Sequence, residues 1–336
     1  MKAKKYPLNQ CALYKCNSKR KLEKILTIEP GQLKLIDSVI KYSHFEIDKK
    51  DSFEKRQITA PKHTLKCVQR RILNLIQYIE RPEWAISGTK DKCYIDNGKF
   101  HLNSKYVLTI DIKKFYDNCQ REYVYRFFRD KMMNSPDVAK ILTDIVTYER
   151  GIPTGCPTSQ LIAYYAYEDM FANIKEIADK HGCLFSLYVD DMTFSSEKPF
   201  NKDSLKRNVD IVLRRYDHKP KYKKIKYYSK NDPKPITGTI VTKDNTLVTP
   251  NKLQEKIYKG FQDIKKLDAH DNSEESIKKI YTLQGRIQAS RNIEENKKFP
   301  EIERITKQIS KEHSSLEFTN PPRKLHKKPK KIRLIK

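Results

Sequence analysis

The sequence predicts an α+β fold. Three observations carry that reading: short β-branched and aromatic runs at Tyr106–Ile110 and Cys183–Ser195, amphipathic helical periods between and around them, and a change beyond Pro250 to helical periods alone. Alternation of strands and helices by itself admits either an α+β or an α/β core. A small helical unit follows it.

Taken in order, the first fifty residues are mixed and basic, with helices expected near Arg20–Ile28 and Gly31–His44 and no assignable chemistry. Leu65, Val68, Ile72, Leu75 and Ile79 then recur at helical spacing until Arg81-Pro82 ends the run. The strand Tyr106–Ile110 leads straight into Asp111, so a strand end presents a carboxylate. Beyond Pro153 and Pro157, the positions Leu161, Ile162, Tyr165, Met170, Ile174 and Ile177 predict one long helix packed on a sheet. Cys183–Val189, Asp190-Asp191 and Met192–Ser195 read as strand, acidic turn and strand. Leu205, Val209, Val212 and Tyr216 mark another helix, and lysines interleaved with tyrosines follow from Lys219 to Lys230. The last periods are Leu253, Ile257, Phe261, Ile264; then Ile277, Ile280, Leu283, Ile287; then Ile302, Ile305, Ile309. The closing stretch, Arg323–Lys336, holds eight Lys or Arg and no acid, a composition that seeks phosphate and is expected to be disordered alone.

Composition narrows the class of partner. With 69 Lys+Arg against 42 Asp+Glu in 336 residues the formal charge is +27, which points to a polyanion. At about 150 residues per domain the length allows two or three packed units. A mean hydropathy of −0.78 with no long apolar run excludes a helical membrane span. The first sixteen residues carry no secretory pattern, so the chain is expected in the cytoplasm. Seven scattered cysteines without a C-x-x-C read as reduced thiols, and no zinc site is expected. Twenty Tyr and thirteen Phe suit a groove that stacks bases, and they equally suit an ordinary aromatic core.

The chemistry concentrates in three aspartates. Asp190-Asp191 between apolar strands also fits an ordinary solvated turn. Two adjacent carboxylates there repel each other, however, and call for compensation. A divalent cation supplies it, and Asp111 at a neighbouring strand end would complete a site for two metals. Such a pair, roughly 3.5–4 Å apart, serves in-line phosphoryl displacement. The reaction type this implies is nucleotidyl transfer.

The order of three segments sharpens the inference. Asp111-Ile-Lys-Lys-Phe-Tyr116, Gly151-Ile-Pro-Thr-Gly155-Cys-Pro-Thr-Ser159-Gln and Tyr188-Val-Asp-Asp191 resemble the three palm motifs of reverse transcriptases in their usual sequence. The resemblance covers roughly Lys55 to Gln288. It implies a right-hand polymerase: a basic helical region at 1–50, fingers and palm at 51–245, a helical thumb at 246–315 and a basic tail at 316–336. By the family pattern Asp111, Asp190 and Asp191 bind two Mg²⁺ ions, with Mn²⁺ an alternative for oxygen ligands, and the Ile112 carbonyl assists. Lys55-Arg56-Gln-Ile58, with Pro61, Leu65-Lys66 and Gln69, is similar to the fingers motif whose basic residue holds the incoming triphosphate. Arg56 suits that task, since a guanidinium grips phosphate bidentately. Tyr116 falls at the position that blocks the ribose 2′-OH and selects dNTPs, while Gly155 and Ser159 line the template and nucleotide pocket. The sequence departs from the pattern at Thr154, where glutamine is usual. Lys224, placed ahead of Ile236-Thr-Gly238, resembles the lysine that protonates departing pyrophosphate; Lys221, Lys223 and Lys226 are neighbouring alternatives.

Two near matches point to the retron reverse transcriptases of bacteria. Asn97-Gly-Lys-Phe-His101 resembles their N-A-x-x-H element with Gly98 in place of Ala, and Ile236-Thr237-Gly238 resembles their V-T-G. The likeness implies contacts from Asn97, His101, Thr237, Gly238 and the thumb's Arg286 to a structured non-coding RNA that is both template and primer. It further implies synthesis from a guanosine 2′-OH, an RNA-linked single-stranded DNA, and anti-phage defence with an effector protein. Alternatives are another defence-associated or group II intron-like enzyme with protein-primed or weakly templated synthesis, and an RNA-binding protein with an inactive polymerase fold.

Overall fold

Two antiparallel strands, β1 (Tyr42–Asp48) and β2 (Lys55–Pro61), form a ribbon whose first strand is exposed along nearly its whole length. They belong to a computed structural model that describes residues 5–48, 55–267, 273–305 and 332–334. The ribbon replaces the end of the helix expected over Gly31–His44. Only Leu33–Leu35 and Ile36–Val39 are helical there, and from Tyr42 the chain extends because Tyr42, Phe45 and Ile47 find a ladder partner in β2. The first expected helix forms at Lys19–Leu26, capped by the Ser18 hydroxyl, which accepts the Lys21 N–H at 3.1 Å.

The palm is a four-stranded antiparallel sheet in the order β4-β5-β3-β6, built from β3 (Tyr106–Asp111), β4 (Leu184–Tyr188), β5 (Asp191–Ser196) and β6 (Lys226–Tyr228). The two-residue side-chain period of β3 divides its faces. Leu108 and Ile110 enter the main core with Phe185, Leu187, Met192 and Phe194. Val107 instead packs with Ile236 and Val241 of a second sheet, made of β7 (Lys234–Ile236), β8 (Thr239–Val241) and β9 (Leu247–Val248). Helices His63–Ile76, Glu168–Lys180 and Lys202–Arg215 bury their apolar stripes in the main core.

The long helix expected across Leu161–Ile177 is two helices, Ser159–Ala166 and Glu168–Lys180, broken at Tyr167. The buried Tyr167 ring stands edge-on to Phe115 and His218, and its hydroxyl accepts the Gln120 N–H at 2.8 Å. That anchorage fixes the bend, and periodicity, which runs through it unchanged, does not register it.

Helices Asn251–Lys265 and Glu274–Ile293 close a separate apolar cluster through Ile257, Phe261, Ile264, Ile280, Leu283 and Ile287. Residues 300–305 are helical and add Ile302 and Ile305 to it; Ile309 lies outside the described residues. The basic tail lies outside them as well, except for 332–334. Ile332 there bridges Ile28, and Leu334 is buried with its N–H donated to Gln32 Oε1 at 2.7 Å. The seven cysteines are free thiols, and among the described residues no helix is long and apolar enough to cross a membrane.

Candidate active site

The two central palm strands bring the acidic residues together. β3 closes on Asp111, β5 opens on Asp191, and the register sets these two opposite each other; directly opposed side chains in a ladder stand about 4.5–5.5 Å apart at Cβ. Asp190 occupies the two-residue turn Val189-Asp190 between the paired Tyr188 and Asp191. The backbone around them is tied on both sides. The Asp190 carbonyl accepts the Ile112 N–H at 3.1 Å, and the Asp111 carbonyl accepts the Lys221 N–H at 2.7 Å. The Lys224 ammonium donates to Asp111 Oδ2 at 2.6 Å, so among the adjacent lysines it is Lys224 that reaches the site.

Burial pushes the Asp190 and Asp191 carboxyls up to about 6, and the carboxylates beside them, Asp111 for the first and Asp190 then Asp111 for the second, push the same way. The hydrogen bond to Asp111 raises the Lys224 ammonium in turn. Among the described residues no three His, Cys, Asp or Glu side chains are gathered tightly enough to enclose an ion by themselves, and Lys224 takes up one Asp111 oxygen. The donor set still fits a hard divalent cation: it is all oxygen, and its mutual repulsion is the kind of charge a cation relieves.

The fingers ribbon faces this cluster. Arg56 on β2 is exposed, and its charge acts on both Asp190 and Tyr116. Burial, then the Asp190 charge, raises the Tyr116 phenol, which therefore stays protonated. Gly155 has φ +113° and lies on β2 so closely that a Cβ would stand 2.9 Å from Ile58 Cγ2 and 3.2 Å from the Thr59 carbonyl oxygen. Thr154, at the departure from the expected glutamine, accepts the Thr59 N–H at 2.8 Å and so docks its loop on the ribbon. Ser159 is buried, with its hydroxyl donated to the Pro153 carbonyl at 2.6 Å. That bond spans the loop from Pro153 to the start of the following helix.

The structure places Asn97 and His101, expected to contact RNA, in the interior. Both are fully buried. His101 Nδ1 lies 2.6 Å from Ser195 Oγ, its Nε2 lies 2.7 Å from Ser186 Oγ, and burial lowers its imidazole to about 3. Asn97 Nδ2 donates to Thr237 Oγ1 at 2.9 Å. The two signature elements thus meet as one unit. Thr237 (φ +42°) and Gly238 (φ +93°) make the tight turn between β7 and β8, with Ile236 paired to Thr239. Gly98 lies beneath that hairpin, where a Cβ would overlap Thr239 Oγ1 and approach Leu247 Cδ2 to 3.0 Å. Glycine in place of alanine thus accommodates Thr239. Arg286 is likewise engaged inside the protein, since its Nη1 donates to the Lys256 carbonyl at 2.9 Å and joins the two long thumb helices.

Sequence reading missed the serines around His101. Ser186 and Ser195 are fully buried beside Phe185, Leu187 and Phe194, and a hydroxyl there needs a buried partner. That requirement was the available signal. It also missed Ser87, which meets the turn at Val189.

The family described as reverse transcriptase (RNA-dependent DNA polymerase) matches residues 47–242. The retron Se72 reverse transcriptase of Salmonella heidelberg is 28% identical over 194 residues, 57% of this chain and 51% of that protein. The retron Ec48 reverse transcriptase of Escherichia coli is 25% identical over 274 residues, 76% of this chain and 67% of that protein. The retron Ec86 reverse transcriptase of Escherichia coli is 24% identical over 174 residues, 51% of this chain and 54% of that one. The chain thus spans about half the length of the first and third of these relatives. A solved telomerase from Candida tropicalis aligns with a TM-score of 0.47 at 14% identity, covering 63% of this chain and 55% of that one.

Proposed function

Since this chain belongs to the reverse transcriptase (RNA-dependent DNA polymerase) family, we propose that it is an RNA-directed DNA polymerase of the retron type, which copies part of a structured non-coding RNA into an RNA-linked single-stranded DNA. The observation that carries the reading is the pairing of Asp111 with Asp191 across β3 and β5, with Asp190 in the turn beside them. The retron assignment is supported by the curated relatives and by the contact between the Asn97–His101 element and the Ile236–Gly238 turn. Action in phage defence with an effector protein follows from the same analogy, and a cytoplasmic location is part of the proposal on the sequence pattern of the first sixteen residues.

Family membership implies dependence on a divalent metal. Asp111, Asp190, Asp191 and the Ile112 carbonyl would hold two Mg²⁺ ions, with Mn²⁺ as substitute. When bound, such ions activate the attacking hydroxyl and stabilise the leaving oxygen. The chain's own groups do the rest. Arg56 holds triphosphate oxygens, and its guanidinium geometry suits them. Tyr116 keeps its phenol protonated beside Asp190 and blocks a ribose 2′-OH with its ring. Gly155 and Thr154 keep the loop after Pro153 against β2, which sets the width of the nucleotide pocket. Lys224 carries a proton that its hydrogen bond to Asp111 makes harder to lose, and it delivers that proton to the pyrophosphate oxygen as negative charge develops there. The thumb and the basic tail track the phosphates of the RNA–DNA hybrid.

The test compares wild-type protein with an Asp190→Asn, Asp191→Asn variant in metal-dependent dNTP incorporation on the RNA that co-purifies with it. Loss of incorporation with RNA binding retained is the expected result. A wild type that binds RNA but extends no primer would show an inactive polymerase fold, and DNA attached to the protein itself would show protein priming.

A further inference from the structure

Val189 is a β-branched residue with φ +62° at the first position of the catalytic turn. A side chain branched at Cβ is strained there, and such turns ordinarily use glycine, asparagine or aspartate. A strained residue persists only where its surroundings hold it. What holds it lies a hundred residues earlier in the chain. The Val189 N–H donates to Ser87 Oγ at 2.7 Å.

Ser87 is itself fixed from two sides. The segment from Trp84 runs beside β4, with the Leu187 N–H donated to the Trp84 carbonyl at 2.9 Å, the Ile86 N–H donated to the Leu187 carbonyl at 3.1 Å, and a parallel bridge between Ala85 and Leu187. It is in effect a short fifth strand on the sheet edge, ending at the turn. Behind it Arg81 donates from Nη1 to the Ser87 carbonyl at 3.0 Å and from Nη2 to Thr89 Oγ1 at 2.9 Å, while its guanidinium stacks over the Tyr164 ring at 5.4 Å. On the far side of the turn the Asp190 carbonyl is bonded to Ile112. The turn is thus clamped by Ser87 at Val189 and by Ile112 at the Asp190 carbonyl, directly ahead of Asp191.

We propose that Ser87 is a positioning residue for the catalytic turn: its hydroxyl holds Val189 in the left-handed conformation, and that conformation keeps Asp190 and Asp191 aimed at one site with Asp111, with Arg81 as its support. The inference rests on the polymerase reading of that site. Without the hydroxyl, Val189 relaxes toward extended backbone, the turn opens, and the carboxylates separate. Glycine at 189 adopts the left-handed conformation without strain, so it makes the clamp unnecessary.

The experiment uses the full chain and three variants: Ser87→Ala, Val189→Gly and the double substitution. Thermal melts establish folding, electron paramagnetic resonance of added Mn²⁺ measures metal binding, and steady-state primer extension separates kcat from the KM for dNTP. Ser87→Ala is expected to lower kcat about tenfold, the scale of one lost hydrogen bond acting on the reacting geometry, with KM and RNA binding unchanged. Half-saturation by Mn²⁺ should need several-fold more metal. In the Val189→Gly background the same Ser87→Ala change should alter neither quantity. A folded Ser87→Ala protein with wild-type kcat and Mn²⁺ binding overturns the proposal, as does an equal loss in the glycine background. If Ser87→Ala does not fold, Ser87→Thr, which retains the hydroxyl, must preserve Mn²⁺ binding while Ser87→Val weakens it; equal behaviour of the two overturns the proposal. A wild type without incorporation overturns the polymerase reading, while the Mn²⁺ measurements still decide on the clamp.

Discussion

Replacing Gly98 by alanine restores the residue that the retron element usually carries, and it should destabilise this protein. The added methyl would overlap Thr239 Oγ1 and come within 3.0 Å of Leu247 Cδ2. Thr239 is held in place, since it is fully buried, paired with Ile236 in the ladder, and its hydroxyl donates to the Ile236 carbonyl at 2.9 Å. Overpacking of this kind costs about 1–3 kcal/mol. Alanine inside the helix Tyr94–Phe100 returns about 0.5–1 kcal/mol of helix propensity. The net expectation is a loss of about 1–2 kcal/mol. A double-mutant cycle with Thr239→Ala, which removes the overlapping oxygen, isolates the contact, and the pair should be less destabilised than the sum of the singles by about 1 kcal/mol or more. Urea titration followed through Trp84, the single tryptophan, whose ring lies 5.3 Å from Phe185 in the palm core, provides the assay. Additive effects within about 0.5 kcal/mol would refute the idea that Gly98 and Thr239 are matched to each other.

Three other perturbations address different parts of the molecule. Burial holds His101 neutral, so its contribution to stability is complete above the ordinary histidine value and falls as pH drops toward 3; between pH 7 and 5 the loss is about 2 kcal/mol. His101→Gln should remove that slope, and comparing the two proteins cancels the contributions of His218, Asp190 and Asp191; an unchanged slope would mean that His101 is not the group titrating. Tyr116→Ala should raise ribonucleotide incorporation relative to deoxyribonucleotide in a primer-extension competition, and unaltered sugar selectivity would remove Tyr116 from the gate. Deleting Arg323–Lys336 should flatten the dependence of RNA affinity on log salt, because up to eight cations no longer displace counterions; an equal slope would assign the tail to another task.

What the sequence disclosed follows from how local each determinant is. The strand ends at Asp111 and Asp190-Asp191 were legible because runs of β-branched, aromatic and other apolar residues lead directly into them, and sheet geometry then brings strand ends together. The helix expected over Gly31–His44 failed at Tyr42, because an exposed strand draws its hydrogen bonds from residues 55–61 and not from its own neighbours. The signature residues Asn97 and His101 stood out as residues, but their burial depends on side chains from Ser186 to Thr237 that no local window contains. Lys224 was one of several adjacent lysines until the short turn Tyr222–Lys224 set its ammonium on Asp111. The strained backbone of Val189 was not legible, since valine is a residue that propensity assigns to a regular strand.

The thumb's apolar cluster contains, among the described residues, only side chains C-terminal to Val248, and the palm core draws none of its members from the two long thumb helices. Where the two regions join, the Thr249 N–H donates to Glu294 Oε1 at 2.7 Å, and its hydroxyl lies 2.8 Å from Ser290 Oγ. Cooperative units of unequal stability follow from such a division. Amide exchange in the thumb should be governed by its own opening, at a free energy below that of the whole protein, while the catalytic strands exchange only with global unfolding. On the function proposed above, the protein would release or admit a nucleic-acid duplex by loosening one folding unit while the geometry of its carboxylates stays intact.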